Sequence, residues 1–122
     1  MKPTGSKTLI FDAETSKTLY GLYAQKKPQY ASHKDIVQDW FVLCAAWKWR
    51  GLKTVHSASL ASFSERYHKD HTDDYELIKK IHSLFAEADA VVGHNIDKFD
   101  WAKFLERVIC HRLPPIDKPK MI

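Results

Sequence analysis

The chain has 122 residues, 44% of them hydrophobic and 12% aromatic, which suits one domain around one core and excludes two. No run approaches the roughly 18 consecutive apolar residues of a membrane span, and the opening Met1-Lys2-Pro3-Thr4-Gly5-Ser6-Lys7 lacks the apolar stretch of a signal peptide, so a soluble cytoplasmic protein is expected. A net charge of +4 is compatible with a polyanionic partner without requiring one.

Taken in chain order, Thr8-Leu9-Ile10-Phe11 reads as a compact apolar strand, central in a sheet. Thr18 to Tyr23 is rich in β-formers and makes a second candidate strand. The segment from Asp35 to Trp49 is strongly apolar, with its heart at Phe41 to Trp47. Arg50-Gly51-Leu52 then suits a hairpin connection, and Lys53 to Ser57 a return strand. After Thr72 the period changes. Tyr75, Leu77, Ile78, Ile81, Leu84, Phe85 and Ala88 recur at helical spacing, which predicts a helix with a core-facing stripe and with Asp73 and Glu76 as its capping pair. Ala90-Val91-Val92-Gly93 is a short buried strand after a helix, so it should run parallel to a strand already formed. A second helix is expected from near Lys98, with Trp101, Phe104, Leu105, Val108 and Ile109 as its core stripe and Leu113-Pro114-Pro115 as its stop. Met121-Ile122 looks like the start of another apolar strand. Cys44 and Cys110 lie inside apolar segments and read as reduced buried thiols. His68 and His71, in a polar stretch, read as surface residues rather than zinc ligands.

Chemistry concentrates where two apolar strands end. In Leu9-Ile10-Phe11-Asp12-Ala13-Glu14-Thr15 the acids stand two apart, so on an extended strand both point to one side and can face one ion. In Val91-Val92-Gly93-His94-Asn95-Ile96-Asp97-Lys98-Phe99-Asp100 a second strand ends in a polar turn and an acid. A parallel neighbour would bring Asn95 beside the first pair, and Asp100, on the first helical turn, would approach the same point. Such oxygen ligands suit Mg²⁺ or Mn²⁺, which bind carboxylates together with substrate phosphate. The plainer readings stay open: an acid after a strand is often only a turn residue, and Asn95 and Asp97 also suit a helix cap.

At these residues the chain resembles the DEDD 3′–5′ exonucleases of the ribonuclease H-like fold. Phe11-Asp12-Ala13-Glu14-Thr15, followed by Gly93-His94-Asn95 with Phe99-Asp100, is similar to that family's first two motifs. The segments Asp39 to Trp49 and Ala88 to Asn95 are similar to the small exonucleases encoded by tailed bacteriophages, which would put the chain in the host cytoplasm. The resemblance implies an α/β ribonuclease H-like mixed sheet (three antiparallel strands, helix, parallel strand, helix) over residues 1–122 as a single domain. It implies a 3′–5′ exonuclease acting on DNA, with RNA as the alternative. Asp12, Glu14 and Asp100 match the catalytic metal ligands for two divalent ions, Asp12 bridging them. Thr15, His94, Asn95 and Lys103 fall where substrate would be held. The family's third motif, a His or Tyr followed by an Asp on a final helix, has no counterpart through Ile122, so the domain is expected to lack its final strand and helix and this chain alone to be weak or inactive. The rival expectation is a catalytically inactive nucleic-acid-binding module with a basic rim of Lys98, Lys103 and Arg107. Another is an assembly module in which a second chain or second copy completes the fold.

Overall fold

The computed structural model describes residues 6–20, 36–93 and 101–122. In chain order its elements are β1 (Thr8–Thr15), β2 (Leu19–Tyr20), β3 (Ile36–Gln38), β4 (Val42–Trp49), β5 (His56–Ser59), α1 (Ser64–Lys69), α2 (Tyr75–Glu87), β6 (Ala90–Val92), α3 (Trp101–Cys110) and β7 (Lys120–Met121). Five strands form one open mixed sheet in the order β5-β4-β1-β6-β7, while β2 and β3 form a separate antiparallel pair. β1 is the middle strand: β4 runs antiparallel to it on one edge and β6 parallel on the other. β5 extends the antiparallel half and β7 the parallel half. The α/β architecture and the mixed sheet match the sequence expectation, as does the parallel placement of β6. Met121 does lie in a strand, paired with Val91, but that strand, β7, starts at Lys120 and Ile122 follows it.

The alternation of β1 decides which face is covered. Leu9 and Phe11 are buried, whereas Ile10, Asp12 and Glu14 at the alternate positions are exposed. Helices α2 and α3 cover the Leu9–Phe11 face. Leu77, Ile78, Ile81, Leu84 and Phe85 of α2, with Phe104 and Val108 of α3, join Leu9, Phe11, Val42, Ala45, Trp47 and Val91 in one core. Phe85 is the hinge of this packing, meeting Phe11 edge-on at 5.1 Å between ring centroids and Phe104 at 5.2 Å. Each such ring contributes about 1.5–3 kcal/mol by leaving water.

Several elements differ from expectation for identifiable reasons. The return strand lies at His56–Ser59 rather than Lys53–Ser57, because the turn at Gly51 (φ +89°) is followed by exposed residues 52–55 before pairing resumes. The helix start is Asp74, not Asp73. Asp73 instead accepts a hydrogen bond from the Tyr75 amide (3.0 Å) and another from Arg66 (3.0 Å), so no Asp73–Glu76 capping box forms. Helix α3 is stopped before the prolines. Arg112 adopts a left-handed conformation (φ 57°), the Leu113 amide reaches back to the Val108 carbonyl (3.0 Å) and the Arg112 amide to that of Ile109 (2.9 Å). This is a Schellman closure with arginine where glycine is usual. Ile109 is 72% exposed and falls outside the core stripe, and Cys110 is exposed rather than buried. Cys44 is half-buried, and both thiols are free. The short helix α1 carries no buried residue, which is why no apolar stripe announces it. His68 and His71 are on the surface, as expected, with His71 stacked on Tyr67 at 4.3 Å. Gly21, Leu22 and Tyr23 of the second candidate strand, and Asp35, lie outside the described residues.

Candidate metal centre

Asp12 and Glu14 stand on the open face of β1, one strand step beyond Phe11 and on the side away from the helices. The register sets their neighbours. Asp12 lies opposite Ala46, which lies opposite Ser57; Glu14 lies opposite Cys44, which lies opposite Ser59. Each acid is therefore followed across the sheet by a small residue and then a serine. Because Ala46 and Cys44 are small, a concavity of about 260 Å³ opens over β4, lined by both acids, Cys44, Ala46, Ser57, Ser59 and Ser62. With no other described residue does either carboxylate form a hydrogen bond or ion pair.

A β-bulge shapes the end of this row. Thr15 pairs with Val42 and Glu14 with Cys44, so Leu43 has no partner in β1. The skipped residue returns Val42 to the core face, where it is fully buried, and leaves Cys44 on the open face beside Glu14. Beyond the bulge the two strands stay tied. The Ser16 amide donates to the Phe41 carbonyl (2.8 Å), and the Phe41 amide to the Ser16 hydroxyl (2.9 Å).

The structure brings Asp12 and Glu14 together and leaves Thr15 exposed at the strand end. Lys103 is exposed on α3. Asp100, His94 and Asn95, with Asp97 and Lys98, lie outside the described residues. Among the described residues no group of three or more His, Cys, Asp or Glu side chains is placed to hold a metal ion. Arg107 departs from the basic rim expected of it. Its Nη2 donates to Asp74 Oδ1 (2.5 Å) and its Nε to Asp74 Oδ2 (3.2 Å).

Asp74 is the residue that sequence reasoning missed. It is the buried charged residue among the described ones, at 0% exposure, and it takes four hydrogen bonds: two from Arg107, one from the Val42 amide (3.0 Å) and one from His111 Nε2 (2.7 Å). His111 Nε2 can donate to this carboxylate, which only accepts, and it also lies 3.3 Å from Arg107 Nη2. The available signal was the doublet Asp73-Asp74 before a helix, where one acid suffices for capping. The serines were missed because the return strand was placed several residues early, which hid the Ser57/Ser59 alternation. No protein-family model matches the chain, and neither the curated proteins nor the solved structures contain a match to it.

Proposed function

We propose that this chain carries the metal-binding part of a ribonuclease H-like 3′–5′ exonuclease, hydrolysing phosphodiester bonds at nucleic acid 3′ ends, DNA first. The observation that carries the reading is the placement of Asp12 and Glu14 side by side on the open face of the central strand, at the rim of a concavity. No Lys, Arg or His is among the described residues that line that concavity. A phosphate entering there would meet two carboxylates and be repelled unless a divalent cation came with it. Asp12 and Glu14 would hold such an ion, with Asp100 as the third carboxylate that the resemblance assigns. Such an ion would supply charge neutralisation and an activated water when bound. The chain's own part is to fix the two acids on a bonded strand and to leave small residues beside them. A 5′-labelled single-stranded DNA incubated with the protein and Mn²⁺ should shorten only slowly from its 3′ end, and Asp12→Ala should abolish that slow shortening. Shortening that ignores Asp12→Ala or persists in chelator would overturn the reading.

A second reading, an assembly module, is favoured by one observation. Ile10, 43% exposed, pairs with the half-buried Val92, and Ile122, 59% exposed, lies just past the end of β7 with its amide bonded to the Val91 carbonyl. This row makes part of the open face apolar, as a surface covered by another polypeptide would be. Light scattering showing a stable dimer, with no nuclease activity and no metal binding, would favour it.

A further inference from the structure

We propose that Asp74 is a positioning residue for the Asp12–Glu14 centre, acting through the bulge of β4. This rests on the metal-binding reading above. Asp74 is the N-cap residue of α2, yet its side chain caps nothing in that helix. It is turned instead to three other groups. Arg107 holds it from α3 and His111 from the turn just after that helix, and the Val42 amide meets it from the first residue of β4.

Val42 is where the consequence lies. It pairs with Thr15, immediately past Glu14 and on the near side of the unpaired Leu43. In a strand pair, a shift by one residue turns every side chain to the opposite face. Moving the bulge would bring Ala45 and Trp47 toward the acid rows, in place of Cys44 and Ala46, and would fill the concavity with an indole. Asp74 opposes that shift because its carboxylate is satisfied only when the Val42 amide stands at this position. Its two other partners fix it from behind, so the α3 helix, the start of α2 and the Glu14 end of β1 are held as one unit. Core packing of Ala45 and Trp47 opposes the same shift, and Asp74 adds to it a fixed acceptor for the Val42 amide at the bulged end of the strand.

Two measurements test this on the whole chain. The variants are Asp74→Asn, which keeps an acceptor for Val42 but loses the charge that holds Arg107, and Val108→Ala, a core truncation in α3 that leaves Asp74, Arg107, His111 and the Val42 amide chemically unchanged. The first measurement is amide hydrogen exchange resolved by residue. Asp74→Asn should speed exchange at residues 14–16 and 41–43 more than at residues 9–11, whereas Val108→Ala should speed it without that localisation. The second is Mn²⁺ affinity, read by the paramagnetic relaxation of water protons at a temperature where both variants are folded. Asp74→Asn should weaken Mn²⁺ binding about 3- to 30-fold, the range in which a residue acts on a site through a packed network, and Val108→Ala should leave it unchanged. Exchange that rises uniformly in Asp74→Asn, or equal Mn²⁺ affinities in the two variants, would overturn the positioning role. If the unaltered chain binds no Mn²⁺, the metal-binding reading fails on its own, and the exchange pattern still decides whether Asp74 governs the strand end.

Discussion

The chain holds carboxylates in two opposite settings. Asp74 is fully buried and meets four hydrogen bonds, two of them from a guanidinium. Asp12 and Glu14 are exposed on the far face of the sheet, with no described partner for either side chain. Burial explains the contrast. An ionised carboxylate taken from water without partners costs several kcal/mol, so a buried one is found with its donors in place. An exposed pair can keep its water and exchange it for a cation. Asp74 is thus committed to the fold, and the β1 pair is available for chemistry.

The largest expected effect breaks the first half of that contrast. Asp74→Ala leaves the half-buried Arg107 without its carboxylate partner and frees the Val42 amide, and should cost about 3–5 kcal/mol in urea unfolding. A loss below 1 kcal/mol would mean that water satisfies these groups once the carboxylate is gone. The second half is sharpened by the Asp12→Asn, Glu14→Gln double variant. Its stability should change by less than about 0.5 kcal/mol, as for surface positions generally. Without substitution, Mn²⁺ at ten times its dissociation constant should stabilise the chain by about 1.4 kcal/mol, and the double variant should lose that gain.

The smallest effect concerns a third setting, an exposed acid with local partners only. Asp70 accepts hydrogen bonds from the Thr72 hydroxyl (2.7 Å) and the Thr72 amide (2.9 Å), which lower its pKa below the ordinary 3.8; the nearby His71 adds slightly to the effect. The folded pKa is the depressed one, so the turn's contribution is present above pH 3.8 and is lost as pH falls through the folded value. Thr72→Val removes the hydroxyl and should move the Asp70 titration, followed by NMR, back up toward 3.8. An unmoved titration would show that the backbone amide alone sets it.

Much of the scaffold was legible because periodicity reports burial. Leu77, Ile78, Ile81 and Leu84 announced α2, and Leu9 and Phe11 announced β1. Asp12 and Glu14 were found by the same rule, since residues two apart on a strand share a face. What stayed hidden depends on contacts made late in sequence or on single-residue shifts. The partners of Asp74 lie 32 to 37 positions away, and no local pattern links them. The bulge at Leu43 changes the phase of β4 without any glycine or proline to mark it. The end of α3 was assigned to Pro114 and Pro115, although Arg112 closes it earlier by taking a conformation that arginine seldom adopts.

The central position of β1 also bears on how the molecule is assembled in time. Its antiparallel partner begins at Val42, but its parallel partner begins only at Ala90, so one edge of the strand must wait for a loop of about eighty residues to close. During synthesis β1 emerges early, with Leu9, Ile10 and Phe11 in an apolar row, and keeps a bare edge until β6 and α2 have been made. The strand that bears Asp12 and Glu14 is therefore open to wrong pairing on one edge until β6 is made, and the charge it carries helps to keep that edge from joining a neighbour.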